Sequence, residues 1–334
     1  MKSTLFYFFA LPLLQLSSAL SHGQHRHRHA RRNDIATTSD VGISATAVRR
    51  SALPQDSEAA DSGSGGCKPA IGGFGIAYVG KDENNQCKDL DGINQDFDTF
   101  KDAYKLVRIY DTGCPVADIL SAAKQHNMKV MLGMVTVDKF DTELQAMIDA
   151  GKGHWDTVHS VAIGNEQIHQ GVAADTITGK ISEAKTKLQD AGYHGCIVTV
   201  DVVDTWTGNS GLCDLDFVAA NSQPFFANIP ASQTGEFMKG VHQKLEQACP
   251  GKHIVFTEVG WPTEGNANGA AEPSVPNART SNSQVKNQLD GDAIFFEFKN
   301  EPWKKGNSAD QWGVEANYGM YGKGYDPLTA PDAA

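Results

Sequence analysis

The sequence predicts a single (β/α)₈ barrel, also called a TIM barrel, and three observations favour this fold. The region from Cys67 to the last residue is close to the roughly 250 residues of a typical barrel. Short apolar segments alternate with amphipathic helical patterns along it, as expected for a parallel sheet covered by helices. Two of the apolar segments end in a glutamate, at the position where barrel strands present functional groups.

Eight segments have the apolar, β-branched character of strands that are buried on both faces. In chain order they are residues 73–79, 105–110, 129–135, 158–164, 196–203, 217–221, 253–257 and 293–298. Between them, five segments repeat apolar residues at helical spacing and are predicted to be amphipathic helices. These helices are expected at residues 91–103, 116–126, 141–150, 175–191 and 235–248.

A doubly wound open sheet would show the same alternation of strands and helices. Such sheets often bind nucleotides through a glycine-rich turn between a strand and a helix. The glycine-rich sequence Gly72-Gly73-Phe74-Gly75 instead precedes a predicted strand, and the sequence contains no P-loop motif. The closed barrel is therefore favoured.

Glu166 ends the fourth predicted strand, and Glu258 ends the seventh. In a barrel both side chains reach the same C-terminal mouth, where catalytic residues lie. Glycoside hydrolysis requires such a pair, with one carboxyl group to protonate the leaving oxygen and another to attack the sugar. The alternative is a pair of structural salt bridges at the rim, and the presence of each glutamate in its own local motif favours catalysis.

Five segments together resemble glycoside hydrolase family 17, the β-1,3-glucanase family. They are Gly164-Asn165-Glu166, Thr257-Glu258-Val259-Gly260-Trp261-Pro262, Val107-Arg108-Ile109-Tyr110, residues 221–226 and Glu301-Pro302-Trp303-Lys304. The similarity extends from about residue 73 to residue 322 and is greatest to the fungal cell-wall glucanase-like mannoproteins of the family. It implies a retaining β-1,3-glucan hydrolase.

The resemblance also implies a role for each motif residue. Glu166 would be the general acid/base, with a pKa raised toward neutrality, and Glu258 would be the nucleophile. Asn165 would bind the 2-hydroxyl of the sugar, and its alternative role is to cap the end of a strand. Arg108 would keep the nucleophile ionised, and its alternative is a purely structural ion pair.

Further candidate substrate-binding residues lie at or after the ends of the strands. Tyr110 alternates with Arg108 along the second strand, so both side chains are expected in the barrel mouth. The aromatic candidates for stacking on glucose have core packing as their alternative, and the acidic candidate could equally be a solvated loop charge. The remaining candidates are Tyr78, Asn221, Phe225, Phe226, Trp261, Glu301 and Trp303.

Two other functions are compatible with the motifs. A β-1,3-glucan transglucosylase would use the same two glutamates, with a second glucan chain in place of water. A wall protein that only binds glucan would need neither an acid nor a nucleophile, so the two intact glutamates argue against it.

The beginning of the chain predicts secretion. Residues 1–20 have the pattern of a signal peptide, with Lys2, an apolar core and small residues at the end. Residues 21–66 are poor in large apolar residues and are expected to form a disordered leader, with Arg31-Arg32 and Arg49-Arg50 as candidate processing sites. Arginines alternate with histidines in this leader, which disfavours a metal site there.

Composition limits the remaining function classes. The six cysteines lie after residue 66, and an even number in a secreted chain predicts disulfides, although six cysteines allow 15 pairings. The net charge of −11 argues against nucleic acid and anionic membranes as partners. No motif indicates a metal or other cofactor, and no apolar tail indicates a membrane anchor. We expect a secreted monomer in the cell wall or medium, with β-1,3-glucan as its partner.

Overall fold

The computed structural model describes residues 66–321, and there eight parallel strands form one closed barrel in chain order. The strands are β1 (Phe74–Ala77), β2 (Leu106–Arg108), β3 (Lys129–Met134), β4 (Val158–Asn165), β5 (Cys196–Val202), β6 (Val218–Asn221), β7 (Ile254–Val259) and β8 (Ala293–Phe295). The predicted barrel is confirmed, and every predicted strand overlaps an observed one. The predicted signal peptide and nearly all of the predicted leader lie outside the described residues.

Burial on both sides explains the apolar strands, because each strand faces the barrel interior on one side and the surrounding helices on the other. In β7, for example, all six residues are buried. The barrel closes where β1 pairs with both β2 and β8, through Gly75 to Leu106 and Phe74 to Ala293.

Seven α-helices surround the barrel in the described part of the chain. They are α1 (Leu90–Phe100), α2 (Val116–Gln125), α3 (Phe140–Gly151), α4 (Ala174–Asp190), α5 (Val203–Gly208), α6 (Thr234–Ala248) and α7 (Val275–Leu289). The five predicted helices are confirmed. None of the helices described between residues 66 and 321 is both long and apolar enough to cross a membrane.

Helices α5 and α7 were not predicted from the sequence. The short helix α5 follows β5 without a break, so the apolar pattern of the strand conceals its beginning. In α7 the buried face consists of Ala278, Ser281, Asn282 and Val285, and the Thr234 hydroxyl is hydrogen-bonded to that of Ser281 at 3.0 Å. A helix that packs through small and polar residues has no apolar stripe to detect.

Three disulfides confirm the prediction that the cysteines are paired. Cys67–Cys196 ties the segment before β1 to the start of β5, and Cys213–Cys249 joins the segments that precede β6 and β7. The third, Cys87–Cys114, joins the loop after β1 to the loop after β2. This last bridge therefore fixes two neighbouring loops at the C-terminal mouth of the barrel.

Candidate active site

Glu166 and Glu258 lie at the carboxyl ends of β4 and β7. Glu166 directly follows β4 and adopts a left-handed backbone conformation with φ of 55°, while its N–H still donates to Val200 O on β5 at 2.8 Å. Such a conformation has a steric cost for a residue other than glycine. Glu258 is the penultimate residue of β7 and is paired in register with Asn221 on β6.

Arg108 spans the barrel from β2 and contacts the ends of both glutamate-bearing strands. Its Nη1 donates to Glu258 Oε1 at 3.0 Å, and its Nη2 donates to Asn165 Oδ1 at 2.6 Å. The side chain is almost completely buried, so the ion pair is shielded from solvent. Arg108 therefore fixes the position of Glu258 relative to the end of β4.

Asn221 connects the two glutamates from β6. Its Nδ2 donates to Glu166 Oε1 at 2.7 Å and to Asn165 Oδ1 at 3.2 Å. Its Oδ1 accepts a hydrogen bond from Arg108 Nη1 at 3.4 Å. Both carboxylates thus belong to one hydrogen-bonded network with Arg108 and the two asparagines.

The environment favours the protonated form of Glu166. Burial raises its pKa to about 8, and the negative charges of Glu258 and Asp201 act in the same direction. The hydrogen bond from Asn221 and the charge of Arg108 oppose this rise without cancelling it. At neutral pH, Glu166 therefore holds a proton that it can donate.

Glu258 is held by a cationic group and by a hydrogen-bond donor. In addition to the ion pair with Arg108, Gln223 Nε2 donates to Glu258 Oε2 at 3.5 Å. Tyr110 lies beside Glu258, and burial together with that negative charge raises the pKa of the Tyr110 hydroxyl. The guanidinium of Arg108 also lies 4.4 Å from the centre of the Tyr110 ring. Strand β2 ends at Arg108, so Tyr110 reaches the mouth from the loop and not from the strand as predicted.

Asp201 supports the loop that carries Glu166 and was not among the predicted site residues. Its Oδ2 accepts hydrogen bonds from the backbone N–H groups of Ile168 at 3.0 Å and His169 at 3.4 Å. Burial raises the pKa of Asp201, so its charge depends on these bonds. A carboxylate inside the otherwise apolar β5 is the signal that would have revealed it.

A second charged cluster lies after β8 and includes the predicted residue Glu301. This residue is buried and forms an ion pair with Lys304, which also pairs with Glu297 at 3.3 Å. Burial lowers the pKa of Lys304, but the two carboxylates outweigh it and raise the pKa overall. Burial raises the pKa of the nearby Glu315 to about 7. Sequence reasoning missed Glu297 and Glu315, because nothing local distinguishes them from solvated loop charges.

The predicted aromatic residues occupy different environments. Phe225 and Trp261 are fully buried, with ring centres 5.7 Å apart and planes at 90°. Neither presents a face to solvent, so we propose no stacking role for them. Phe226 is half-buried and packs against Trp312 at 5.6 Å, whereas Trp303 is 38% exposed.

Tyr78 is also part of the protein core. It is buried in an aromatic cluster, and its hydroxyl donates to Asp96 Oδ2 at 2.9 Å.

Within residues 66–321, no group of three or more His, Cys, Asp or Glu side chains is arranged to hold a metal ion. The structure therefore brings together Arg108, Tyr110, Asn165, Glu166, Asn221 and Glu258 around one site.

Comparison with known proteins identifies a family of glycoside hydrolases and relatives in fungi. Residues 75–319 match the family described as the BtgE/BtgC glycoside hydrolase domain. Cell surface mannoprotein MP65 of Candida albicans is 31% identical over 264 residues, which cover 76% of this chain and 68% of MP65. Probable beta-glucosidase btgE of Aspergillus fumigatus is 31% identical over 258 residues, which cover 75% of this chain but only 45% of btgE.

The fold also matches a solved structure. The family 17 β-1,3-glucanosyltransferase of Rhizomucor miehei superposes with a TM-score of 0.65 at 24% identity, over 76% of this chain and 94% of that protein. At this identity the likeness supports the barrel fold. Together with the family match over most of the barrel, these findings show that the chain belongs to the BtgE/BtgC glycoside hydrolases of glycoside hydrolase family 17.

Proposed function

We propose that this protein is a retaining β-1,3-glucan hydrolase with Glu166 as the acid/base and Glu258 as the nucleophile. The observation that carries the proposal is the unequal environment of the two carboxyl groups. Burial and neighbouring negative charge hold a proton on Glu166, while Arg108 pairs with Glu258 at 3.0 Å. One protonated carboxyl group beside a second that is ion-paired with an arginine is the arrangement that a double displacement requires.

In the first step, Glu258 attacks the anomeric carbon while Glu166 transfers its proton to the glycosidic oxygen. The carbon–oxygen bond to the leaving glucan breaks, and a covalent glycosyl-enzyme forms. The negative charge of Glu258 is then lost, which removes one of the causes that raise the pKa of Glu166. Glu166 is thereby converted into a base at the stage when one is needed.

In the second step, Glu166 accepts a proton from water, and the water oxygen attacks the anomeric carbon. The bond to Glu258 breaks, and the sugar leaves with its original anomeric configuration. Asn165 contributes through its orientation, because its Oδ1 is occupied by Arg108 and Asn221. The amide nitrogen of Asn165 then remains to donate to the sugar 2-hydroxyl.

The names of similar proteins support the choice of substrate. Relatives at 31–32% identity are named beta-glucosidases and family 17 glucosidases, and a mutant of the Rhizomucor miehei enzyme was solved with laminaritriose, a β-1,3-glucan fragment. The three disulfides and the surface location named for MP65 support secretion to the cell wall or medium. We propose a monomer without a membrane anchor.

Transglucosylation is the second candidate, because the structurally similar Rhizomucor miehei protein is named a β-1,3-glucanosyltransferase. The same glycosyl-enzyme would then be resolved by the hydroxyl of another glucan chain. Both reactions pass through Glu258, so the acceptor alone separates them.

One experiment tests these proposals. The full-length protein is incubated with a laminari-oligosaccharide that is labelled at its reducing end, and the sizes of the products are measured. The anomeric configuration of the first-formed product is followed by NMR. Hydrolysis gives only shorter products in the β configuration, and transglucosylation also gives longer ones. An α product would refute the retaining mechanism. Absence of turnover, or unchanged turnover in Glu258→Gln, would refute the assignment of the site.

A further inference from the structure

A cavity of about 640 Å³ lies beside the catalytic mouth, between the loop after β1 and the segment after β8. Lys81 and Asn84 line one side, and Lys299, Glu301 and Trp303 line the other. Its volume is within the range of about 300–1,000 Å³ that is typical of ligand sites. It can hold a short oligosaccharide.

A continuous series of contacts connects this cavity to the nucleophile. Glu301 in the cavity wall forms an ion pair with Lys304, whose Nζ lies 4.7 Å from the centre of the Phe296 ring. Phe296 packs edge to face against Tyr110 at 6.3 Å, and Tyr110 lies beside Glu258. The wall of the cavity is therefore packed against the residues that surround the nucleophile.

The charges of the cavity wall favour a neutral ligand. The three lysines of the wall are accompanied by four carboxyl groups, and two of the lysines, Lys88 and Lys299, also form ion pairs with Asp96 on α1. Burial and the charge of Glu301 raise the pKa of Glu297, which reduces the negative charge of the wall. A lining of polar groups without a net field is suited to hydroxyl groups and poorly suited to phosphate.

Trp303 supplies the apolar surface that a sugar ring requires. It is one of the two large hydrophobic side chains exposed among the described residues, and it lies in the cavity wall. Lys81 Nζ lies 5.8 Å from the centre of its ring and restrains it from the opposite loop. An exposed indole that is held in a polar cavity is a preformed stacking surface.

The wall formed by the loop after β1 is rigid. Residues 81 and 87 form an antiparallel bridge, and Asp82 Oδ1 accepts hydrogen bonds from the N–H groups of Asn84 at 2.9 Å and Gln86 at 2.8 Å. The disulfide Cys87–Cys114 fixes the end of this hairpin to the next loop. A wall that does not need to be ordered on binding reduces the entropic cost of binding.

We infer that this cavity is a second carbohydrate pocket, which holds glucosyl units remote from the scissile bond and uses Trp303 as the stacking surface. The inference rests on the proposed function, because it takes a β-1,3-glucan as the ligand. It makes Trp303 and the hairpin after β1 determinants of the chain length that the enzyme prefers.

The test measures binding separately from turnover. Laminarihexaose is titrated by calorimetry into the full-length Glu258→Gln protein, with and without Trp303→Ala. The loss of one aromatic contact is expected to weaken the dissociation constant by about tenfold, and Trp303→Phe should restore most of it. Leu90→Ala is the matched control, because Leu90 is 37% exposed but does not line the cavity. Melting curves followed by circular dichroism check that each variant is folded.

The outcomes separate this inference from the proposed function. Equal affinity in the Trp303→Ala protein and its parent would overturn the second pocket, even if the wild-type enzyme hydrolyses β-1,3-glucan. An affinity loss in Leu90→Ala equal to that in Trp303→Ala would also overturn it. Affinity that depends on Trp303, in a protein whose wild type turns over no β-1,3-glucoside, would support the pocket and reject the proposed hydrolase.

Discussion

The hydrogen bond from Asn221 to Glu166 should set the alkaline limit of activity, and Asn221→Leu tests this directly. The bond is 2.7 Å long and lowers the pKa of Glu166, against the burial that raises that pKa to about 8. Leucine is similar in size to asparagine but donates no hydrogen bond. Its introduction should therefore raise the pKa of Glu166 further.

The size of the shift follows from the type of bond. A hydrogen bond to a charged group contributes about 1.5–3 kcal/mol, and one pKa unit corresponds to about 1.4 kcal/mol. The pKa of Glu166 should therefore rise by about one to two units, to roughly 9–10. Glu166 must be protonated to act as the acid, so activity should persist to a higher pH although its maximum falls.

The measurement is the pH dependence of kcat/KM on a laminari-oligosaccharide, which reports the ionisation of the free enzyme. The alkaline limb should move from about pH 8 in the wild type to the higher value in Asn221→Leu. Ser222→Ala is the control, because Ser222 is the next buried residue and its Oγ contacts Met238 Sδ at 3.6 Å. An alkaline limb that stays in place or moves to lower pH in Asn221→Leu would refute the assignment of Glu166.

Four further predictions concern the same framework. Glu258→Ala should abolish turnover of every β-glucoside, whereas Glu166→Ala should retain the first step on an activated aryl glucoside, which burst kinetics would detect. Equal losses in both variants on both substrates would contradict these roles. Arg108→Met leaves Glu258 buried without its partner and should reduce the free energy of unfolding by about 3–5 kcal/mol in urea, and an unchanged midpoint would argue against a buried ion pair. A protein trimmed after folding to begin at Cys67 should keep kcat/KM within tenfold of the full chain, and a larger loss would place the leader in the enzyme. Cys67→Ser should reduce the free energy of unfolding, measured in urea, by about 2–5 kcal/mol, because it removes the disulfide to Cys196.

Strand positions were predictable because parallel barrel strands are apolar on both faces. The ends of the strands were harder to predict. Glu258 precedes the last residue of β7, and Tyr110 lies beyond the end of β2. Hydrophobicity reports burial, and Tyr110 is buried whether or not its backbone is paired with a neighbouring strand.

The two glutamates were predictable because each ends an apolar segment in a recognisable motif. Arg108 and Asn221 were predicted from their motifs, but Asp201 was not, and the hydrogen bond from Asn221 to Glu166 joins strands that are distant in sequence. Aromatic residues were ambiguous for a different reason. Trp261 follows a catalytic strand, as a sugar-stacking residue would, yet it packs against Phe225 in the interior. Sequence position identifies the rim and does not determine which side chains turn inward.

Arg108, which links β2 to β4 and β7, makes catalysis depend on the completion of folding. Arg108 and Glu166 come from the first half of the barrel, and Asn221 and Glu258 come from the second. A partly assembled barrel therefore does not bring these catalytic groups into alignment. During synthesis, activity should appear only when the last strands join the first, so no folding intermediate or half-length fragment should hydrolyse a glycosidic bond.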